Sequence, residues 1–186
     1  MKKFLSVMLT LIMLVATLAF GVSAEDGNVA RMWICAEKST NSGIGHVFLY
    51  FENLTNETIT VGRYSVEPYG DVSVGSFGTE GPRGAGVYYN NETALTHYNQ
   101  LVGLSTNLDA AELKAVNNKI SNYNRWDPIF NCNYFALLGW NAGSDSDIPF
   151  LIFPAFTRLF ITMKGGVGDP YDPYSRTAPV VKQNEL

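Results

Sequence analysis

Basic charge is scarce in this chain. Its 186 residues hold 13 Lys and Arg against 17 Asp and Glu. Two of the cations, Lys2 and Lys3, precede the first apolar run, and removing them leaves 11 against 17, a net charge of −6. Such a deficit argues against a nucleic-acid partner and against holding an anionic membrane by charge alone. Cysteine and histidine are scarcer still: Cys35, Cys132, His46 and His97 are all there are. Two cysteines make no disulfide framework, and these four residues lack the spacing of zinc ligands, so no metal and no cofactor is expected. No internal repeat and no low-complexity linker breaks the chain.

The long apolar run that does exist lies at the start. Lys2 and Lys3 are followed by Phe4 to Phe20 and then by Val22-Ser23-Ala24. A positive end, a short apolar stretch and a small-residue cleavage site read as a secretory signal over residues 1–24. The run is short for a membrane span, and no cysteine follows it at a lipoprotein position. The expectation is a protein secreted to a bacterial cell envelope, without stable membrane insertion after signal cleavage. Residues 25–186 suffice for one compact domain. Export permits a Cys35–Cys132 disulfide, but a domain of this size does not need one. Three sequons, beginning at Asn53, Asn56 and Asn91, matter only in a host that glycosylates.

The periodicity reads as strands followed by helices, an α+β domain. Residues 30–36 form a first strand. Residues 46–52 form a second, apolar on both faces and therefore central in a sheet. Thr58 to Glu67 continues as strand with a bulge at Gly62, and Asp71 to Phe77 is a further strand. After a Gly/Pro loop and a short strand at Val87–Tyr89, Glu92 to Val102 reads as a helix. A second helix follows to about Asn122, with Thr106 and Asp109 as its capping box. Residues 150–163 are apolar enough for a buried helix or strand, and the tail from Gly165 is irregular.

The chemistry centres on Asn131-Cys132-Asn133-Tyr134-Phe135-Ala136. It reads as the start of a helix with Asn131 as N-cap and Cys132 in the first turn, where unpaired N–H groups and the helix dipole favour a thiolate. Cys132, Phe135, Ala136 and Gly139 share one face, small enough at Ala136 and Gly139 to lie close against a sheet. A buried structural cysteine is the plainer alternative. His46 heads the apolar central strand, where an imidazole must find a polar partner, and it is the candidate base. His97 reads as a surface residue. If Asn53–Glu57 turns a hairpin, Thr60 to Ser65 runs back beside His46. Tyr64 and Ser65 are then the nearest groups that could orient the imidazole, with Glu67 further along and Glu52 several residues away. One oxyanion donor would be the Cys132 backbone N–H.

Gly45-His46-Val47-Phe48-Leu49, followed far later by the Asn131–Ala136 segment, resembles the circularly permuted branch of the NlpC-type, papain-like superfamily. That branch includes the lecithin retinol acyltransferase-like enzymes. The resemblance spans about residues 30–165 and is specific in those two segments. It implies a papain-like fold, an antiparallel sheet packed against helices, with Cys132 as nucleophile and His46 as base. The chemistries it implies are amide hydrolysis in peptidoglycan peptides and acyl transfer on lipids, and the secreted compartment favours a cysteine hydrolase acting on an amide bond in peptides or peptidoglycan. The alternatives are a non-catalytic binding domain on the same scaffold, and a thiol acyltransferase or lipid hydrolase. Acyltransferase-like members carry a second histidine on the strand after the first; Thr58 to Glu67 has none, so the third catalytic role stays open.

Overall fold

The computed structural model describes residues 27–37, 45–94, 100–168 and 179–186. Residues 1–24, expected to be a secretory signal, and His97 lie outside the described residues. The strands are β1 (Asn28–Ala36), β2 (Val47–Asn53), β3 (Ile59–Val61), β4 (Tyr64–Val66), β5 (Asp71–Phe77), β6 (Gly86–Tyr89), β7 (Val102–Asp109), β8 (Val167–Gly168) and β9 (Val181–Lys182). The helices are α1 (Asn91–Ala94), α2 (Ala110–Ile120), α3 (Cys132–Gly143) and α4 (Pro154–Met163). Seven strands form one sheet in the order β8-β7-β1-β2-β5-β6-β9, and β3 and β4 form a separate ribbon. Neighbouring strands pair antiparallel throughout both sheets. The class is α+β.

Strand β2 lies between β1 and β5. Its alternate side chains feed two cores, which explains a sequence apolar in both registers. Val47, Leu49 and Phe51 join Met32, Ile34, Val72 and Val74 beneath α2 and α3. Phe48 and Tyr50 join Cys35 and Leu101 on the other face, with Trp33 packed beside them. Helix α3 contributes Phe135, Ala136, Leu137 and Trp140, all fully buried, each large one worth roughly 1.5–3 kcal/mol in apolar burial. Its approach is close: a Cβ on Gly139 would stand 2.5 Å from Leu49 Cδ1. No helix among the described residues is long and apolar enough to cross a membrane.

Four expectations are corrected. Thr58 to Glu67 is no bulged continuation of the sheet. Gly62 takes φ +62° and turns β3 into β4, a left-handed conformation that glycine adopts without Cβ strain. Residues 102–109 are strand, paired along their length with β1, so the helix expected to reach Val102 does not. The capping box of α2 is Asp109 with Glu112, not Thr106 with Asp109: Asp109 Oδ1 accepts the Glu112 N–H at 2.8 Å and Glu112 Oε2 accepts the Asp109 N–H at 2.8 Å. The 150–163 segment is not buried. Phe150, Ile152, Phe153, Phe156, Leu159 and Met163 are all exposed, while Pro154, Thr157 and Ile161 face the body.

Candidate active site

Helix α3 begins at Cys132, and its start is built by the turn before it. Asp127 Oδ1 accepts the Ile129 and Phe130 N–H groups at 2.8 and 2.9 Å. These hydrogen bonds hold the Asp127 carboxyl below its ordinary pKa. Tyr123 Oη donates to the Phe130 carbonyl at 2.7 Å. Asn131 then caps the helix, its Oδ1 accepting from the Asn133 and Tyr134 N–H groups at 3.0 and 3.2 Å. A residue at the first helical position has no intrahelical acceptor for its own N–H, so that of Cys132 stays available to a ligand.

His46 immediately precedes β2, after Gly45 at φ +81°, and its carbonyl accepts the Glu37 N–H at 2.9 Å. The ring packs between Phe48 (centroids 5.7 Å apart, 20° between planes) and Phe77 (4.7 Å, 34°). Its side chain is only 12% exposed. Cys132 and His46 are hydrogen-bonded to each other. The Cys132 sulfur also takes hydrogen bonds from the backbone of Val47 and Asn133, which draws the helix start onto the start of β2.

Behind the imidazole stands a residue the sequence did not point to. Glu92, in the first turn of α1, is fully buried. Its Oε1 lies 3.3 Å from His46 Nε2, and Ser73 Oγ donates to its Oε2 at 2.9 Å. With Nε2 facing Glu92, Nδ1 is the nitrogen left for the thiol, the division of labour a nucleophile–base–orienter row requires. Gly75 makes room for the carboxylate: a Cβ there would fall 1.6 Å from Glu92 Oε1 and 3.2 Å from His46 Nε2. The signal for this was faint. Val72-Ser73-Val74-Gly75 alternates apolar with small polar positions, and a glycine inside a strand marks a close approach.

Tyr64 and Ser65 are not brought to His46. The strand beside β2 is β5, with Leu49 opposite Val74; the hairpin expected there leaves the sheet as the β3–β4 ribbon. Ser65 is exposed opposite Thr60, and Tyr64 stacks on Tyr89 with centroids 5.3 Å apart. The orienting position they were proposed for is occupied by Glu92.

The electrostatics follow from the geometry. Burial pushes the His46 imidazole toward its neutral form. The Cys132 charge and hydrogen bond, and after them Glu92, outweigh that and push it up to about 10. Burial pushes the Cys132 thiol up, but the His46 charge, its hydrogen bond and the two backbone donors bring it below its ordinary value. The pair therefore favours thiolate and imidazolium over thiol and imidazole. Cys35 behaves oppositely: burial, with Glu92 nearby, pushes its thiol well up, and it is inert by the same physics. Both cysteines are free. Among the described residues no group of three or more His, Cys, Asp or Glu is arranged to hold a metal ion.

Comparison with known proteins finds no matching family model, no matching curated protein and no matching solved structure.

Proposed function

We propose that this chain is a secreted cysteine hydrolase of papain-like design that cleaves an amide bond in peptides or cell-wall peptides. Cys132 is its nucleophile, His46 its acid and base, and Glu92 the group that orients the imidazole. The observation that carries this reading is the row Cys132–His46–Glu92, with a fully buried carboxylate 3.3 Å from the imidazole. A buried charge costs several kcal/mol unless paired, and among the described residues the ion-pair partner of this one is His46. The Cys132 thiolate attacks the amide carbonyl carbon. The oxyanion forms beside the Cys132 N–H, and the imidazolium gives its proton to the leaving amine as the C–N bond breaks. His46, now neutral, takes a proton from water. The hydroxide adds to the thioester, the C–S bond breaks, and acid and thiolate are released.

One observation favours a second reading. Asn131 Nδ2 donates to the Ile152 carbonyl at 3.2 Å, and Asn133 Nδ2 donates to that of Leu151. The start of the nucleophile helix is thus tied to the exposed apolar stretch of Phe150, Ile152, Phe153 and Phe156. Such a rim suits an acyl chain, as in a thiol acyltransferase or lipid hydrolase. A non-catalytic domain with a Cys35–Cys132 bridge is disfavoured by two free thiols.

The test is turnover of muropeptides, then peptide amides, then lipid esters, by wild type, Cys132→Ala and His46→Ala. Each variant should lose several powers of ten in rate, and the double variant should be little worse than either, because the pair acts as a unit. Full turnover by Cys132→Ala on any substrate found would make the cysteine structural.

A further inference from the structure

The loop that leads to the nucleophile helix forms one wall of a concavity. This cavity holds about 400 Å³, within the size range of small-ligand sites. Four separate stretches wall it: the β3–β4 turn at Arg63, Ala85 to Val87 at the start of β6, the loop Ser121 to Arg125, and the C-terminal segment Lys182 to Asn184. Arg63, Arg125 and Lys182 all line it, and no Asp or Glu does. None of the three belongs to an ion pair among the described residues, where the paired cations are Arg31, His46 and Arg83.

The cavity is framed rather than loose. Tyr89 Oη donates to Gln183 Oε1 at 2.9 Å. Gln183 Nε2 donates to the Ser121 and Tyr123 carbonyls at 3.2 and 3.3 Å. The cations are anchored too. Arg63 Nη2 donates to the Ser121 carbonyl at 3.2 Å, Lys182 Nζ to the Arg83 carbonyl at 2.8 Å, and the Arg125 guanidinium sits 3.0 Å over the Phe130 ring. These hydrogen-bonding and stacking partners are neutral, and no ion pair among the described residues compensates the positive charge on the walls, although the Asp127 charge acts on Arg125 without forming one. Like charges around one concavity repel, and an anion between them reverses the sign of that energy. Two guanidinium forks match the paired oxygens of a phosphate or carboxylate.

We propose that this cavity binds a small ligand through an oxyanion group, phosphate or carboxylate, held between Arg63, Arg125 and Lys182. The proposal does not rest on the catalytic reading. The ligand would seat against Tyr123, whose hydroxyl holds the Phe130 carbonyl two residues before Cys132.

Calorimetric titration of the mature chain with inorganic phosphate, and separately with citrate, tests this at constant ionic strength. Saturable one-site binding is expected. Binding of phosphate alone assigns a phosphoryl group, of citrate alone a carboxylate, and of both the shared oxyanion chemistry. Arg63→Gln and Lys182→Met should each weaken binding at least tenfold, and Arg125→Gln, on an exposed side chain, provides a third variant. Circular dichroism checks that each folds. Cys132→Ala should bind as wild type does, and Lys182→Met should keep wild-type thiol reactivity, which separates this site from the catalytic one. No saturable binding of either probe, or equal binding by wild type and every folded variant, overturns the proposal.

Discussion

Replacing Glu92 by Gln removes the charge behind His46 and leaves its shape. The carboxylate is fully buried, 3.3 Å from Nε2, and held by Ser73, so little solvent screens it. Losing an opposite charge at such a distance moves a partner's pKa by about 1–3 units, or about 1–4 kcal/mol. His46, at about 10 in the wild type, should titrate lower by that amount. The chain has only two histidines, so a long-range proton–nitrogen NMR titration resolves both rings, with His97 as internal control. The same substitution should alter stability with a defined sign. The folded pKa of His46 lies above its unfolded value of 6.5. Its imidazolium therefore adds stability that is fully present below about pH 6.5 and is lost as pH rises toward about 10. In urea, the gap between wild type and Glu92→Gln should be widest near about pH 6 and narrow above about pH 9. A His46 titration that does not move in a folded Glu92→Gln protein would refute the orienting role.

Gly75→Ala should displace the Glu92 carboxylate, because its Cβ would fall 1.6 Å from Oε1; unfolding in urea should show a loss of roughly 1–3 kcal/mol, the cost of overpacking, and alkylation of Cys132 at about pH 6 should slow. Tyr64→Phe and Ser65→Ala lie on the separate ribbon; both should leave iodoacetamide labelling of Cys132 unchanged, read by intact mass. Asn131→Ala removes the cap that takes two N–H groups, and should cost about 1 kcal/mol by thermal unfolding while slowing Cys132 alkylation as the first turn frays.

The sequence by itself determined the local pieces of this protein. Alternation placed β1 and β5, and a short run apolar on both faces placed β2, because side chains on a strand divide between two faces every residue. The Asn131-Cys132 pair marked a helix start, since only the cap side chain and the first-turn N–H groups are involved, all within four residues. Small residues at 136 and 139 marked the face that lies against the sheet. Tertiary structure alone decided the rest. Residues 102–109 read locally as the end of one helix at Val102 and the cap of the next at Thr106 and Asp109, and eight residues of pairing with β1 made them strand. The hairpin at Gly62 left the sheet, so β5 rather than β4 came to lie beside β2. The third member of the row was decided the same way. Glu92 lies 46 residues from His46 in the chain and reads locally as an ordinary acid in a helix's first turn. It becomes the partner of an imidazole only because Gly75 leaves a space beside β2 and burial removes the water that would otherwise solvate the charge.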